Sequence, residues 1–510
     1  MAEFSDRPMT PPPAEDQYWG FFPAKYTTAY LNSYVDNHTY NGQTIRDRVI
    51  FNAPVQHVEK TSKTGQWSIS HSDGRILTAK KLIDATGMTS EPYVPAIQGT
   101  ERFQGLALHH KHFGQSDFLS DSTKQHIVVL GGAKSAADVA YASAKAGKTV
   151  SWIIREDGNG PAAFFAPQPV SKRYANSNEG FYNRFLASFL PNPFGSKGLL
   201  AKILHGTWFG RRYLKNLWDG FDKGLRGVVD YQREEGKDMG FANLEPDTPI
   251  FWQNDSSGVN TRPDLLSTIA TKVHVYRQEI HHLSTNWVVL APRNGSEDKL
   301  TTIPADVLVY CTGWSPTSTI LSPVQAFRLG LSVPIIAADP KIQSRWQALE
   351  DAADPQILSR FPHLGHPPAY RKIEPTHTPF RLYKAMAPLI DAADHSIVFS
   401  GKMVVGNNFR TAEAQALWAV WYLDGKVAAK AEVMEQDVAM TVAWDRRRYL
   451  NKGQLGSWFY FDVVAYADML LENLGLSSHR QKGWFGNLMD PCVADDLKGL
   501  AGEYKARHSS

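Results

Sequence analysis

Nine residues about a quarter of the way along the chain, Leu130-Gly-Gly-Ala-Lys-Ser-Ala-Ala-Asp138, are of the types that hold a phosphate. Small residues let a backbone approach a pyrophosphate, and the first N–H groups of a following helix turn their positive end toward it. Ser135 adds a hydroxyl donor, and Lys134 and Asp138 flank it. Against the G-x-G-x-x-G/A pattern Gly131 and Gly132 open the turn, Ala133 stands at the second glycine and Ala136 at the third position. The pattern is incomplete, so its context has to carry it. A turn that is merely tight, binding nothing, is the competing explanation. The strand that follows ends in Arg155. An acidic residue there binds a free ribose 2′-hydroxyl, whereas a guanidinium favours a 2′-phosphate. A solvated arginine at a strand end is the plain alternative.

The elements around this turn are those such a site needs. His126 to Leu130 is a buried-type strand, Lys134 to Ala146 a small-residue helix closed by Gly147, and Thr149 to Ile154 the next strand. Strand, turn, helix and strand within about 30 residues make one βαβ unit. A second pattern is written twice. Val55 to Gly87 contains Val55 and Val58, then Trp67-Ser-Ile-Ser, a turn at Asp73-Gly74, a third strand and Leu82-Ile-Asp-Ala-Thr-Gly87. Ile280 to Gly313 repeats the order, with Trp287-Val-Val-Leu, a turn at Asn294-Gly295 and Val307-Leu-Val-Tyr-Cys-Thr-Gly313. Asp-Gly and Asn-Gly between alternating segments are strong hairpin signals. The second copy has the glycine turn upstream. The first has none.

Elsewhere Ala24 to Val35 reads as a helix packing through Tyr26, Tyr30 and Tyr34. The stretch from Phe164 to Trp252, with Phe181, Phe185, Phe189, Trp208, Trp218 and Phe221 mostly at helical spacings, reads as a helical insertion that is core or the lining of a cavity. Pro362 to Pro379 is a Pro/His-rich loop, and Thr411 to Tyr422 a strong helix. His109, His110 and His112 cluster, but no carboxylate or cysteine lies at ligand spacing, so a structural histidine competes with any chemical role.

The 510 residues suffice for two or three domains. The balance of 54 Lys+Arg against 51 Asp+Glu, without a basic block, argues against nucleic acid. Two cysteines, Cys311 and Cys492, suit a reducing compartment. No apolar run is long enough to span a membrane, and the expected setting is cytoplasmic.

Phe103-Gln-Gly105-Leu-Ala-Leu-His109-His-Lys-His-Phe113 matches F-x-G-x-x-x-H-x-x-x-[FYW] just before the glycine turn. Here the chain resembles the flavin-containing and Baeyer–Villiger monooxygenase families. Ser396-Ile-Val-Phe-Ser-Gly401 and Asn407 to Trp418 look like their return strand and flavin helix. Phe22-Pro23-Ala24-Lys25-Tyr26 and Trp484 to Tyr504 resemble fungal members acting on secondary metabolites. The resemblance covers nearly the whole chain and implies an α/β flavoprotein of paired Rossmann-like dinucleotide-binding domains with β-meanders, plus the helical insertion. It divides the chain into 1–115, the first part of an FAD domain, 116–310, an NADPH domain with the insertion at about 164–252, and 311–510, the return to the FAD domain with a C-terminal helical region. It implies FAD and NADPH as cofactors, and oxygen transfer from O2 to a small, apolar or aromatic substrate through a flavin C4a-(hydro)peroxide. His109 and Phe113 become catalytic candidates. Val55, Thr86, Gly87, Thr312, Gly313, Thr411, Glu413 and Gln415 join Gly131 to Ala136, Asp138 and Arg155 as cofactor-binding candidates.

One departure stands out. Phe4-Ser-Asp-Arg-Pro-Met9 resembles a segment that follows the first βαβ unit, so the FAD glycine loop is expected to be missing. Three alternatives follow: a relative that does not retain FAD and acts as an NADP-binding or scaffolding protein, a reading frame that begins late, and a pyridine nucleotide–disulfide reductase. The last needs a close cysteine pair, and Cys311 and Cys492 are far apart.

Overall fold

The computed structural model describes residues 3–508 apart from 62–63, 170, 196–198, 256, 260–261, 292–299 and 390–393. An N-terminal strap precedes helix α1 (Ala24–Asn37) and the small hairpin β1 (Thr39–Tyr40) and β2 (Gln43–Thr44). The first meander, β3 (Val55–Lys60), β4 (Trp67–His71) and β5 (Ile76–Ala79), leads to β6 (Leu82–Asp84). Next come β7 (Leu106–His109), β8 (His126–Leu130), α2 (Lys134–Lys145) and β9 (Thr149–Ile154). The insertion holds β10 (Ala163–Phe165), α3 (Ser177–Phe181), α4 (Arg184–Ala187), α5 (Leu199–Gly206), α6 (Trp208–Val229) and β11 (Ser257–Val259). Strands β10 and β11 pair in parallel and close its base. Then follow α7 (Leu265–Lys272), β12 (Val273–Arg277), the second meander β13 (Glu279–Ser284), β14 (Trp287–Ala291) and β15 (Thr301–Pro304), and β16 (Val307–Tyr310). The remainder is helical around one strand: α8 (Pro323–Arg328), α9 (Pro340–Arg360), β17 (Ile397–Phe399), α10 (Asn408–Leu423), α11 (Ala431–Tyr449), α12 (Val463–Asn473), α13 (Gly483–Met489) and α14 (Leu500–His508).

Five parallel strands in the order β12-β9-β8-β16-β7 form the central sheet. Both of its faces are covered, which explains strands that are apolar throughout rather than alternating. Ile127, Val129, Val150, Trp152, Val307 and Val309 face one side, where α2 and α7 pack. Val128, Leu130, Ile153, Leu308 and Tyr310 face the other, against Leu283, Val288 and Leu290 of the second meander. Strand β7 adds to this sheet as its edge.

The doubled pattern in the sequence is doubled in the fold, down to a defect. The pairing of β3 with β4 slips between Val55 and His57, and that of β13 with β14 slips between Ile280 and His282. A bulge there bends the strand and increases its local twist. The Asp73-Gly74 turn joins β4 to β5, with Gly74 at φ +84°. The expected turn at Asn294-Gly295 lies outside the described residues. Val58 and Trp67 of the first meander pack on Phe327, Phe380 and Phe399, and β6 pairs in parallel with β17. Among the described residues this first unit has those two parallel strands, and no strand–glycine turn–helix unit like that of β8 and α2 lies before β3.

Candidate active site

The glycine turn sits between the end of β8 and the start of α2. The Gly131 N–H bonds Ile153 O at 3.0 Å, and Trp152 Nε1–H bonds Gly131 O at 2.6 Å. A Cβ on Gly131 would stand 2.2 Å from the Cys311 carbonyl oxygen, at φ +146°, so only glycine fits. A Cβ on Gly132 would stand 2.6 Å from Gly160 O, and Ala162 N–H bonds Gly132 O at 2.7 Å. The turn is thus clamped by the end of β16 and by residues 160–162. Ala133 is the N-cap of α2 and supplies no side-chain cap, so the helix N-terminus is left for another acceptor. Ser135 is half-buried on the first helical turn, and Ala136 is fully buried against the sheet. Lys134 Nζ pairs with Asp138 at 2.7 Å, and Arg262 holds the other Asp138 oxygen at 2.9 Å, so Asp138 ties α2 to the insertion's end.

Arg155 follows β9, the strand next to β8, and therefore emerges at the same end of the sheet as the turn. It is half-exposed and paired with Asp157 at 3.3 Å. The Asp157 N–H in turn bonds Glu279 Oε1 at 2.9 Å. Burial holds the Glu279 carboxyl above its usual range.

His109 joins the segments between the two units. Its Nδ1 accepts from Lys111 N–H at 3.2 Å, which leaves Nε2 to donate to Gly313 O at 2.9 Å. Burial, with His110 beside it, lowers its proton affinity and keeps it neutral. Both ring nitrogens of His109 are thus engaged by backbone. Phe113 packs edge-on against Phe118 at 5.6 Å. Among the described residues no group of three or more His, Cys, Asp and Glu is arranged to hold a metal.

The two Thr-Gly steps are bridged by residues 86–93. Thr312 Oγ1 donates to Tyr93 O, and Tyr93 N–H bonds Gly313 O at 3.0 Å. Ser90 Oγ donates to Thr86 O at 2.8 Å, and Lys111 Nζ to Ser90 O at 2.6 Å. On the first side Asp84 accepts from Thr86 N–H and Oγ1, at 2.9 and 2.7 Å. Lys402 Nζ donates to Thr86 Oγ1 at 2.8 Å and Gly87 O at 3.0 Å, and pairs with Asp84 at 3.6 Å. Lys402 is buried, and that burial lowers its proton affinity. Sequence reasoning passed over it; its only signal was a lysine following Gly401 in the return strand. Val55 is half-buried at the edge of the first meander and packs toward Phe399 and its neighbours.

The candidate side chains of helix α10 have protein partners. Thr411 Oγ1 donates to Asn407 O at 2.6 Å, and Gln415 Nε2 to Tyr466 Oη at 3.0 Å. Glu413 accepts from both the N–H and the hydroxyl of Ser5 at 2.6 Å, pinning the strap, while Phe4 packs on Phe409. All three side chains are engaged by protein groups. What α10 presents is its N-terminus, which no side chain caps, and the buried Asn407 Oδ1, which has no partner among the described residues.

The insertion encloses a cavity of about 580 Å³ walled by Phe165, Phe181, Trp218 and Phe221. Phe181 stands edge-on to Phe165 at 5.2 Å and to Phe221 at 5.4 Å. Gly220 and Gly224, one turn apart on α6, form its hollow: a Cβ at either would meet nothing within 4 Å. The Tyr174 and Asn183 side chains at the rim are bonded to Met489 O and Gly180 O. The expected aromatic lining is therefore present except at Trp208, which points into solvent.

A parallel sheet with a glycine turn, a meander on its opposite face and a second meander-bearing unit joined through two Thr-Gly steps define a two-dinucleotide-binding flavoprotein fold. The family described as Pyridine nucleotide-disulphide oxidoreductase matches residues 26–165. The cysteines fit no disulfide chemistry, since Cys311 and Cys492 are both buried free thiols. The chain is 33% identical to an FAD-dependent monooxygenase of Pyrenophora dematioidea, over 94% of this chain and 88% of that protein. It is 31% identical to the FAD-dependent monooxygenase resA of Aspergillus sclerotiorum, over 100% and 89%. Its fold is similar to the open crystal structure of cyclohexanone monooxygenase, with TM-score 0.52 and 12% identity over 90% of this chain and 84% of that one. The chain belongs to the FAD-dependent monooxygenase family.

Proposed function

We propose that this chain is an FAD-dependent, NADPH-using monooxygenase acting on a small apolar substrate. The observation that carries the reading is the uncapped N-terminus of α2 behind a turn where only glycine fits, with Arg155 emerging beside it. Gly131, Gly132 and Ala133 would take the pyrophosphate with the first N–H groups of α2, Ser135 would add its hydroxyl, and Arg155 would take the 2′-phosphate. The residues at the crossover also suit a flavin ring. The free N-terminus of α10 favours negative charge, and Asn407 Oδ1 is an acceptor for a ring N–H. Bound FAD would supply the oxygen chemistry, taking electrons from NADPH and passing one atom of O2 to substrate and the other to water. The protein's part is to orient the two cofactors through the steps held by His109, Thr312 and Lys402, and to keep water out.

The cavity supports the apolar substrate. Two glycines on one face of a helix cost about 1 kcal/mol each relative to alanine, so hollowing α6 needs a reason. Gly224→Leu fills the hollow and should stabilise the fold slightly while lowering binding of the neutral dye Nile red. Unchanged dye binding would remove the cavity from the argument. A second reading, an NADP-binding protein that does not retain FAD, is favoured by one observation: the Thr411, Glu413 and Gln415 side chains of α10 are engaged by Asn407, Ser5 and Tyr466. The absorbance spectrum of the purified chain, with and without added FAD, separates the two. A retained oxidised-flavin band together with NADPH oxidation supports the monooxygenase, and colourless protein that binds NADPH supports the alternative.

A further inference from the structure

We propose that the corner formed by α5 and the first turns of α6 is a lipid-binding surface that seats the enzyme on a bilayer containing anionic headgroups. Leu199, Trp208, Phe209 and Tyr213 are 75, 65, 77 and 53% exposed, and Leu200 and Ile203 are exposed beside them. Soluble monomers rarely leave large apolar side chains grouped in this way. The group does not come from loose structure. On the inner side of the same corner Leu204 and Leu214 pack with Phe189. Gly210 lets the two helices touch, since a Cβ there would lie 2.1 Å from Ile203 O. The inward positions are filled, so the outward apolar side chains are presented by a packed scaffold.

Charge selects the occupant. Residues 199–218 include Lys202, Arg211, Arg212 and Lys215 and contain no Asp or Glu. Lys202, Arg212 and Lys215 are exposed, although Lys215 also reaches Asp219 one turn further along α6. Aliphatic and aromatic side chains on one face with cations beside them are the composition of helices that lie in the bilayer interface. Trp and Tyr favour the headgroup level, and each nearby Lys or Arg adds attraction to an anionic leaflet. A second copy of the chain is the poorer occupant, because a two-fold contact would bring the same cations together. No helix among the described residues is long and apolar enough to cross a membrane, so the corner lies on the surface. Tyr213 also touches Phe189 at 6.1 Å, and Phe189 touches Phe185 at 4.7 Å, both of the latter lining the cavity. If the cavity takes the substrate, as proposed above, an apolar substrate has a continuous apolar path from bilayer to cavity; this last step alone rests on that reading.

The test is co-sedimentation of the full chain with vesicles of phosphatidylcholine, with and without phosphatidylserine. Wild-type protein should bind the phosphatidylserine vesicles, and less so at high salt. The exposed-site variant Trp208→Ser/Phe209→Ser should lose about ten-fold or more in partitioning, and Arg212→Gln/Lys215→Gln about ten-fold on anionic vesicles only. Both variants should keep the wild-type thermal midpoint, since none of the four side chains is buried. Failure of wild-type protein to bind either vesicle, or equal binding by a folded Trp208→Ser/Phe209→Ser variant, overturns the proposal. So does a wild-type dimer in light scattering that this variant converts to monomer, which would make the corner a self-association face. Vesicle binding is independent of oxygenation, so failure of one leaves the other standing.

Discussion

Replacing Arg155 by alanine tests the NADPH assignment most directly. A hydrogen bond to a charged partner is worth about 1.5–3 kcal/mol. Arg155 is 46% exposed on its side chain and already paired with Asp157 at 3.3 Å, so the lower end applies. A loss of about 1.5 kcal/mol corresponds to about ten-fold in kcat/KM for NADPH, with little change for NADH, which has no 2′-phosphate. Asp157 gives the opposite perturbation. It competes with the phosphate for the guanidinium, and releasing an exposed ion pair frees about 0.5 kcal/mol. Asp157→Asn should therefore raise the NADPH:NADH preference about two-fold. In the double variant the Asp157 effect should vanish, because no guanidinium remains to compete for. The assay is the ratio of kcat/KM for the two nucleotides in the FAD-loaded protein, checked by direct nucleotide binding at low and high salt. If Arg155→Ala lowers both nucleotides equally, Arg155 acts on the fold and its 2′-phosphate role is wrong.

Other expectations follow from the same geometry. Gly131→Ala places a Cβ against the Cys311 carbonyl and should destabilise by about 3 kcal/mol. Gly147→Ala, also at positive φ but with nothing within 4 Å of its Cβ, should cost about 1 kcal/mol; equal urea midpoints would show that the close approach is relaxed. Lys402→Met leaves Asp84 buried beside an apolar chain and should cost about 3 kcal/mol, part of it restored in Lys402→Met/Asp84→Asn; no restoration would mean that packing, not charge, is lost. His205 and His363 stack at 5.6 Å between α5 and the 362–365 turn, beside Arg360, Arg211 and Arg448. Burial pulls them down to about 4 and about 3, below the unfolded value of 6.5. The unfolded chain therefore binds these protons more tightly. Their stabilisation is complete above pH 6.5 and is lost as pH falls toward 4 and then 3, about 3 kcal/mol for His205 alone. Asp255, raised by burial to about 6, contributes the opposite slope, so the measurement is the difference between wild-type and His205→Phe/His363→Phe thermal midpoints across that range. Parallel curves would remove the histidines from acid unfolding.

The sequence alone determined the local grammar. Strand, turn, helix and strand around Gly131 are where His126 to Ile154 predict them, because apolar periodicity and a glycine at a forced φ act over neighbouring residues. The doubled meander was equally legible, since alternation and turn residues repeat in order. The end of α10 was placed within a few residues for the same reason. Only the tertiary structure decided what the side chains do. Glu413, Thr411 and Gln415 carry the right helix, but Ser5, Asn407 and Tyr466 engage them, and Ser5 lies 408 residues away. Lys402 holds Thr86 across 316 residues, and His109 holds Gly313 across 204. The corner at Trp208 looked like one more aromatic of the insertion until packing turned Leu204 and Leu214 inward and left it outside. Local pattern records which face of an element is apolar. Which groups meet across the chain depends on how those faces stack, and that information is not carried by any neighbourhood of the sequence.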